Sequence, residues 1–360
     1  MISDRKLSHL EICRDRDVNS RGKLTGLADV ELVHNAMPDL DIESIDLSSC
    51  LFGKRLDAPI IISAMTGGHP ATKKVNENLA KAAEELGLGI CVGSQRAAIE
   101  DPRLEDSFRV VRDVSSKLLV VANMGAAQLL EPDPPGFAEK AIEMIGADAI
   151  AIHLNPLQEL VQPMGDTKYR GVLKGISSLA KSLSKPIIAK ETGCGISRDV
   201  AEKLIEAGVA AVEVAGAGGT SWAAVEHYNA QMKGDEAKAE VAETMWDWGI
   251  PTAMSICEVV SLKPKVPLIA SGGVKNGLEM AKCIALGADF AGIARTLLVP
   301  AFSGRKQVSA KLSRMIHELK VAAMLTGSSS VSELQKAPTV IKGELLNWIG
   351  QRNLGVRKGA

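Results

Sequence analysis

A lysine that closes an apolar run is the first residue of this chain whose type and place could do chemistry. Lys190 ends Pro186-Ile187-Ile188-Ala189-Lys190, and an ammonium buried there unpaired would be costly, so it must face a polar mouth or a carboxylate such as Glu191. Besides a plain ion pair, two chemistries suit it: a Schiff base with a carbonyl substrate, or a cation beside an electron-rich cofactor ring. A second cluster follows another apolar run, in His153-Leu154-Asn155-Pro156-Leu157-Gln158-Glu159. Mg²⁺ is commonly held by one or two carboxylates plus substrate phosphates, which gives Glu159 a role other than solvated surface charge. His153 reads equally as a ligand-binding or a satisfied core histidine.

Glycines supply the third signal. Ser271-Gly272-Gly273-Val274 opens one helical stretch, and Gly292-Ile293-Ala294-Arg295 follows one unit later. Paired loops of this kind bind a phosphate on backbone N–H groups and a helix amino terminus; two tight turns are the structural alternative. Arg5, Lys6 and His9 form a basic amino-terminal cluster that on residue types alone reads as a loose tail rather than a ligand-binding element. Trp222 and Glu226 stand four apart and share a face if helical. Cys194, between Gly193 and Gly195, has no His or Asn beside it and reads as packing rather than as a nucleophile.

The elements that must carry these residues are short apolar strands: Pro59 to Ser63, Leu88 to Gly93, Leu118 to Asn123, Asp148 to His153, Pro186 to Lys190, Val209 to Val214, Pro267 to Ser271 and Asp289 to Ala294. Helical periodicity fills the gaps at Ala71 to Leu86, Leu104 to Val114, Tyr169 to Leu183, Asp199 to Ala207 and Lys275 to Leu286. Strands apolar on both faces need cover on both sides, the mark of a parallel sheet. Eight such units predict an α/β fold, a (β/α)8 TIM barrel, with chemistry on the loops after the strands. A doubly wound open sheet is the alternative, disfavoured because Gly67-Gly68 is followed by His69-Pro70 and not by a dinucleotide fingerprint. Residues 1–58 form an N-terminal extension, expected to be mobile until a ligand orders it, and residues 59–360 the barrel. The long loop after strand six, Gly216 to Gly249, reads as a lid.

The chain has 360 residues, 46% apolar, with 42 Lys plus Arg against 43 Asp plus Glu. Length alone leaves one or two domains open. A net charge of −1 with 3% aromatics argues against nucleic acid or a membrane surface as partner, so an anionic ligand needs a local site. The amino terminus lacks a secretory pattern and the six scattered cysteines lack zinc spacing, which predicts reduced thiols in a cytoplasmic protein.

Taken in order, Arg5-Lys6 with His9, Ala64-Met65-Thr66-Gly67-Gly68, Ser94-Gln95-Arg96, Asn123, the His153 to Glu159 segment, Pro186 to Ser197 and Gly218-Gly219-Thr220-Ser221-Trp222 resemble the type 2 isopentenyl diphosphate isomerases, from Arg5 to about Leu298. The resemblance implies an FMN barrel that interconverts isopentenyl and dimethylallyl diphosphate without net redox. It further implies reduced flavin, Mg²⁺, NAD(P)H as reductant and a homo-oligomer, tetramer or octamer. Carried over, flavin contacts fall on Ala64, Met65, Thr66, Ser94, Asn123, Lys190 and Thr220, and its phosphate on Gly272, Gly273, Val274, Ala294 and Arg295. Substrate contacts fall on Arg5, Lys6, His9, Ser94, Gln95, Arg96, His153, Asn155 and Gln158. Glu159 would hold Mg²⁺, while Gln158, Lys190, Trp222 and Glu226 would act at the alkene. Arg295 departs from the pattern, standing where an apolar residue is expected. Two rivals remain: a flavin α-hydroxy-acid oxidase, which needs a late-barrel His base and Arg clamp not seen around Gly216 to Trp222, and a Schiff-base aldolase using Lys190.

Overall fold

The computed structural model describes residues 2–355. Eight parallel strands close into a barrel: one, Ile60–Ile62; two, Gly89–Cys91; three, Leu119–Gly125; four, Ala149–Leu154; five, Ile187–Glu191; six, Ala211–Glu213; seven, Leu268–Ala270; eight, Phe290–Ile293. Each lies inside its expected run or within two residues of it. Alternation of side chains explains why both faces are apolar. Ile61, Leu119, Val121, Ile188, Ile269 and Phe290 fill the barrel interior, whereas Ile60, Ile62, Val120, Ala122 and Ala189 pack outward against the helices. A hairpin of Ser49–Leu51 with Lys54–Leu56 adds Leu51 and Leu56 to the interior, near the start of the strands.

Crossover helices fall where the periodicity placed them, for example Lys73–Glu85, Asp106–Val114, Val172–Ser182, Arg198–Glu206 and Gly277–Ala285. A further helix, Pro134–Ile145, ends at Gly146 in the left-handed conformation, at φ 51°, which releases the chain into strand four. Register then sets the level of the polar strand ends. His153 pairs with Lys190 across strands four and five, and Lys190 with Glu213 across strands five and six.

Two expectations need correcting. The amino-terminal residues are not a loose arm: Ile2–Asp15 is a helix, and the chain beyond it is stitched to the loop after strand six through Ser221 N–H to the Val18 carbonyl and Ser20 N–H to the Gly219 carbonyl, each 2.8–2.9 Å. The Gly216 to Gly249 segment is not a loop but largely two helices, Trp222–Met232 and Glu236–Thr244. Ala223, Ala224, Val225 and Glu226 are fully buried there, so the segment is a packed cap, fixed by an apolar contact of Ile12 and Val18 with Ala224, Val225 and Trp246. The extension also reaches the far end of the chain, where Val30–Leu32 pairs antiparallel with Thr339–Ile341. Among the described residues no helix is long and apolar enough to cross a membrane.

Candidate active site

The carboxyl ends of the strands surround one cavity of about 580 Å³, within the range of small-molecule and cofactor sites. Its wall collects residues far apart in sequence: Arg5, Lys6 and His9 from the amino-terminal helix, Ala64, Met65, Thr66, Ser94, Arg96 and Asn123 from the first three strand ends, and His153, Asn155, Gln158, Glu159 and Lys190 from the next two. Thr220, Trp222, Gly272, Gly273, Val274, Ala294 and Arg295 complete it. Two expected residues do not line it. Glu226 has no exposed surface and stands one layer behind. Gln95 is turned away altogether: its amide donates to the Ala141 carbonyl at 2.7 Å and its oxygen accepts the Asn123 N–H at 2.9 Å. Gln95 is therefore no substrate contact but a strut that places Asn123, because neighbouring Ser94 and Arg96 take the directions that face the cavity.

At one end lies the glycine cradle. The backbone N–H groups of Gly272, Gly273, Val274, Ala294 and Arg295 donate no loop or turn hydrogen bond among the described residues, and all five residues line the cavity. Such a set of open donors fits a phosphate monoester. Gly272 and Gly273 have φ of 104° and 72°, and a Cβ on Gly272 would stand 2.2 Å from the Gly216 carbonyl oxygen, one on Gly273 2.9 Å from Gly219. The glycines are thus required first by backbone packing between loops six and seven, which is what opens the cradle. The Arg295 guanidinium does not reach into it; it donates to the Cys13 carbonyl at 3.0 Å and to Asn19 Oδ1 at 2.7 Å, tying the end of the amino-terminal helix to strand eight.

Between cradle and helix, Lys190 Nζ bonds Glu213 Oε1 at 2.8 Å and the Glu191 carbonyl at 3.1 Å. The carboxylate partner is Glu213, not the Glu191 side chain. Glu191 instead accepts the N–H groups of Thr192, Gly193 and Cys194, shaping that loop. Burial pushes its carboxyl up to about 7 despite those donors. Burial also pushes the Cys194 thiol up, away from a nucleophilic thiolate.

A chain of polar side chains crosses the opposite wall. Asn155 donates to Glu159 Oε1 at 3.0 Å and to Gln158 Oε1 at 3.1 Å; Gln158 donates to Glu226 Oε1 at 3.0 Å; Asn229 donates to Glu226 Oε2 at 2.7 Å. His9 Nε2 lies 3.0 Å from Glu226 Oε1 without forming a hydrogen bond of good geometry. Burial alone would raise the Glu226 carboxyl, yet His9, Gln158 and Asn229 outweigh it and hold it below its ordinary value. Helical spacing puts Trp222 and Glu226 on one face, and the Trp222 ring stands edge-on to His9 at 5.6 Å.

Cations concentrate near Glu159. Withdrawal from water, then Arg5 and Arg96, lowers the Lys6 ammonium to about 8, with Glu159 opposing. His153, with Nδ1 2.7 Å from Asn123 Oδ1, is lowered to about 3 by burial and by Lys6 and Lys190, so it is neutral at neutral pH. Repelling cations held in a cavity make a site ready for an anion with several charges. Among the described residues no three His, Cys, Asp or Glu cluster as a complete metal cage, so a cation at Glu159 would need ligand oxygens from substrate. Sequence reasoning missed Glu213, although an acid inside Val212-Glu213-Val214 is as anomalous as Lys190. It missed Ser63 and Ser271 with it.

A model of the FMN-dependent dehydrogenase family matches residues 2–107 and 138–341. The isopentenyl-diphosphate delta-isomerase of Methanosarcina barkeri is 48% identical over 355 residues, 99% of this chain and 96% of its own. That of Methanothermobacter thermautotrophicus is 44% identical over 360 residues, 100% of this chain and 99% of its own. Among solved structures, a lactate oxidase from Pediococcus acidilactici superposes with a TM-score of 0.69 at 16% identity, covering 95% of this chain and 93% of that one, a likeness of fold alone. Similarity at this level along the whole sequence means that the chain belongs to the isopentenyl-diphosphate delta-isomerase family, built on the barrel of the FMN-dependent dehydrogenases.

Proposed function

We propose that the protein interconverts isopentenyl and dimethylallyl diphosphate on reduced FMN, with Mg²⁺ between Glu159 and the substrate diphosphate and NAD(P)H as reductant. The observation that carries this is a single cavity that gathers the open N–H donors of the cradle and Lys190 with Arg5, Lys6, Arg96 and Glu159, and with Gln158 backed by the buried Glu226. A phosphate monoester and a diphosphate can then be bound in the same cavity, the first on the cradle and the second on the cations, with the alkene beside Gln158 and Trp222. Reduced FMN, when bound, supplies proton-donating and proton-accepting ring positions beside a flat surface that tolerates nearby positive charge.

Residues of the chain do the rest. Arg5, Lys6, Arg96 and neutral His153 grip the diphosphate, remote binding that positions the reacting carbons. Trp222 walls the apolar part of the site. Gln158, held between Asn155 and Glu226, fixes the alkene's polar boundary, and Glu226 offers a buried carboxylate able to hold a proton at Oε1. Lys190 presents a cation toward the flavin's position. An ammonium already bonded to Glu213 is not the free amine a Schiff base needs, which counts against the aldolase. A cytoplasmic tetramer or octamer, testable by sedimentation, completes the reading.

Stoichiometry tests it. After a single anaerobic reduction, by dithionite or NAD(P)H, many turnovers should follow with solvent deuterium entering the dimethylallyl product. One reductant consumed per product, or full activity with the flavin kept oxidised, refutes the isomerase; one acceptor equivalent consumed per product with no prior reduction favours the oxidase.

A further inference from the structure

One buried acid has no part in the chemistry described so far. Glu213 lies at the end of strand six with 2% of its surface exposed. A single oxygen, Oε1, accepts three donors: Ser63 Oγ from the end of strand one at 2.7 Å, Lys190 Nζ from strand five at 2.8 Å, and Ser271 Oγ from the end of strand seven at 2.8 Å. Strand eight contributes Gly292, where a Cβ would stand 3.2 Å from that oxygen and 2.5 Å from Ser63 Oγ. Four strands are thus cut to fit one carboxylate. The interior just below is apolar, formed by Ile61, Ala151, Ile188, Ala211 and Ile269. Filling the position with Val would spare the desolvation of a charge, so the acid is retained against the preference of the core. What the acid controls is fixed by geometry: of its three donors only Lys190 carries charge, and Lys190, unlike Glu213, lines the cavity.

We propose that Glu213 is the positioning residue of Lys190, holding the ammonium at the cavity floor and offsetting its charge, and so setting the relative affinity for reduced and oxidised flavin. This rests on the reading that the cavity binds FMN. Two serine hydroxyls and strand register fix the carboxylate, the carboxylate fixes the ammonium, and the net charge presented upward is smaller than that of a bare lysine.

The test compares dissociation constants for oxidised and, anaerobically, reduced FMN, by fluorescence titration. Glu213→Gln keeps the shape and removes the counter-charge, so the ratio of oxidised to reduced dissociation constants should rise about tenfold. In a Lys190→Met background the same change should leave the ratio nearly unmoved. An unchanged ratio in the first case, or an undiminished shift in the second, overturns the proposal. If the parent binds no FMN, the flavin reading fails and the apoprotein decides: acetic anhydride should acetylate Lys190 faster in Glu213→Gln than in the parent, and equal rates overturn the positioning role. Should the Gln variant not fold, Glu213→Asp, which withdraws the charge by one methylene, must likewise speed that labelling, and an unchanged rate overturns the proposal.

Discussion

Raising the pH should weaken diphosphate binding by discharging Lys6. The ammonium lies at about 8 in the free site because burial, Arg5 and Arg96 outweigh Glu159. It is therefore about nine-tenths charged at pH 7 and about one-tenth at pH 9. A bound diphosphate sets several negative charges against it and stabilises the charged form, so above pH 8 binding must take up a proton. The dissociation constant should rise about tenfold from pH 7 to pH 9, about 1.4 kcal/mol. A saturated alkyl diphosphate is the suitable probe, since its last proton leaves below pH 7, and His153, at about 3, does not titrate in the window. Calorimetry in two buffers of different ionisation enthalpy reads the proton uptake directly. Lys6→Gln should bind more weakly at pH 7 and show no decline to pH 9. Folding carries the opposite sign: with a folded value near 8 against 10.5, the unfolded chain holds more protons between them, so this group makes stability rise with pH over that window. A melting curve at pH 9 thus separates lost binding from lost fold. Equal affinity at pH 7 and pH 9, or an unaltered decline in Lys6→Gln, refutes the reasoning.

Glu159→Gln should raise the Mg²⁺ concentration needed for diphosphate binding by about tenfold while FMN affinity stays at the parent value; identical Mg²⁺ dependence would remove Glu159 from the metal's surroundings. Arg295→Leu cuts the bonds to Cys13 and Asn19, so KM should rise several-fold with FMN binding unchanged, whereas a large loss of FMN affinity would place the guanidinium at the cofactor phosphate. Gln95→Leu leaves the Asn123 N–H unpaired in the core and removes the amide's bond to the Ala141 carbonyl, at about 1–3 kcal/mol of stability in a denaturant titration; a parent-like midpoint would show that the strut is dispensable. Glu226→Gln should lower kcat about a hundredfold or more without altering FMN affinity, the expected scale for a lost proton-handling group, and a parent-like kcat would exclude that role.

The barrel was legible because a parallel strand is covered on both sides. Its apolar run therefore reports its location directly, as Ile60-Ile61-Ile62 and Ile187-Ile188-Ala189 do, and the polar residue that ends the run stands out as an anomaly. That is how Lys190, His153 and Asn123 could be placed at the mouth. Direction was not legible. Ser94-Gln95-Arg96 are three consecutive polar residues, and no periodicity there says which one points inward; the structure buries Gln95 against Ala141. The amino-terminal helix was hidden for another reason. Ile2–Asp15 is mostly polar, and the face it hides becomes apolar only in company, where Ile12 meets the cap and Leu10 is buried at the cavity wall. Glu213 carried a signal, a charge inside a strand, but its partners lie 150 and 58 residues away in sequence.

The oxidase likeness shows what the barrel alone provides. At 16% identity the strands still superpose, because alternation and cover demand only apolar volume at each position, so the fold leaves open what is done at its mouth. In this chain the answer comes largely from outside the barrel. Arg5, Lys6 and His9 sit on a helix that no barrel strand contributes, and the cap helix brings Trp222 to the same opening with Glu226 buried behind it. The two are joined where it matters: His9 touches both Trp222 and Glu226, Asn19 bridges to Thr220, and Arg295 links the helix end to the last strand beside the phosphate cradle. The amino-terminal cations, Trp222 and the glycine cradle are therefore parts of one packed unit, so a displacement of the amino-terminal helix would disturb the cavity wall and the Glu226 carboxylate together. That linkage explains how Arg5, Lys6 and His9 come to line the same cavity as strand ends from Ala64 to Arg295.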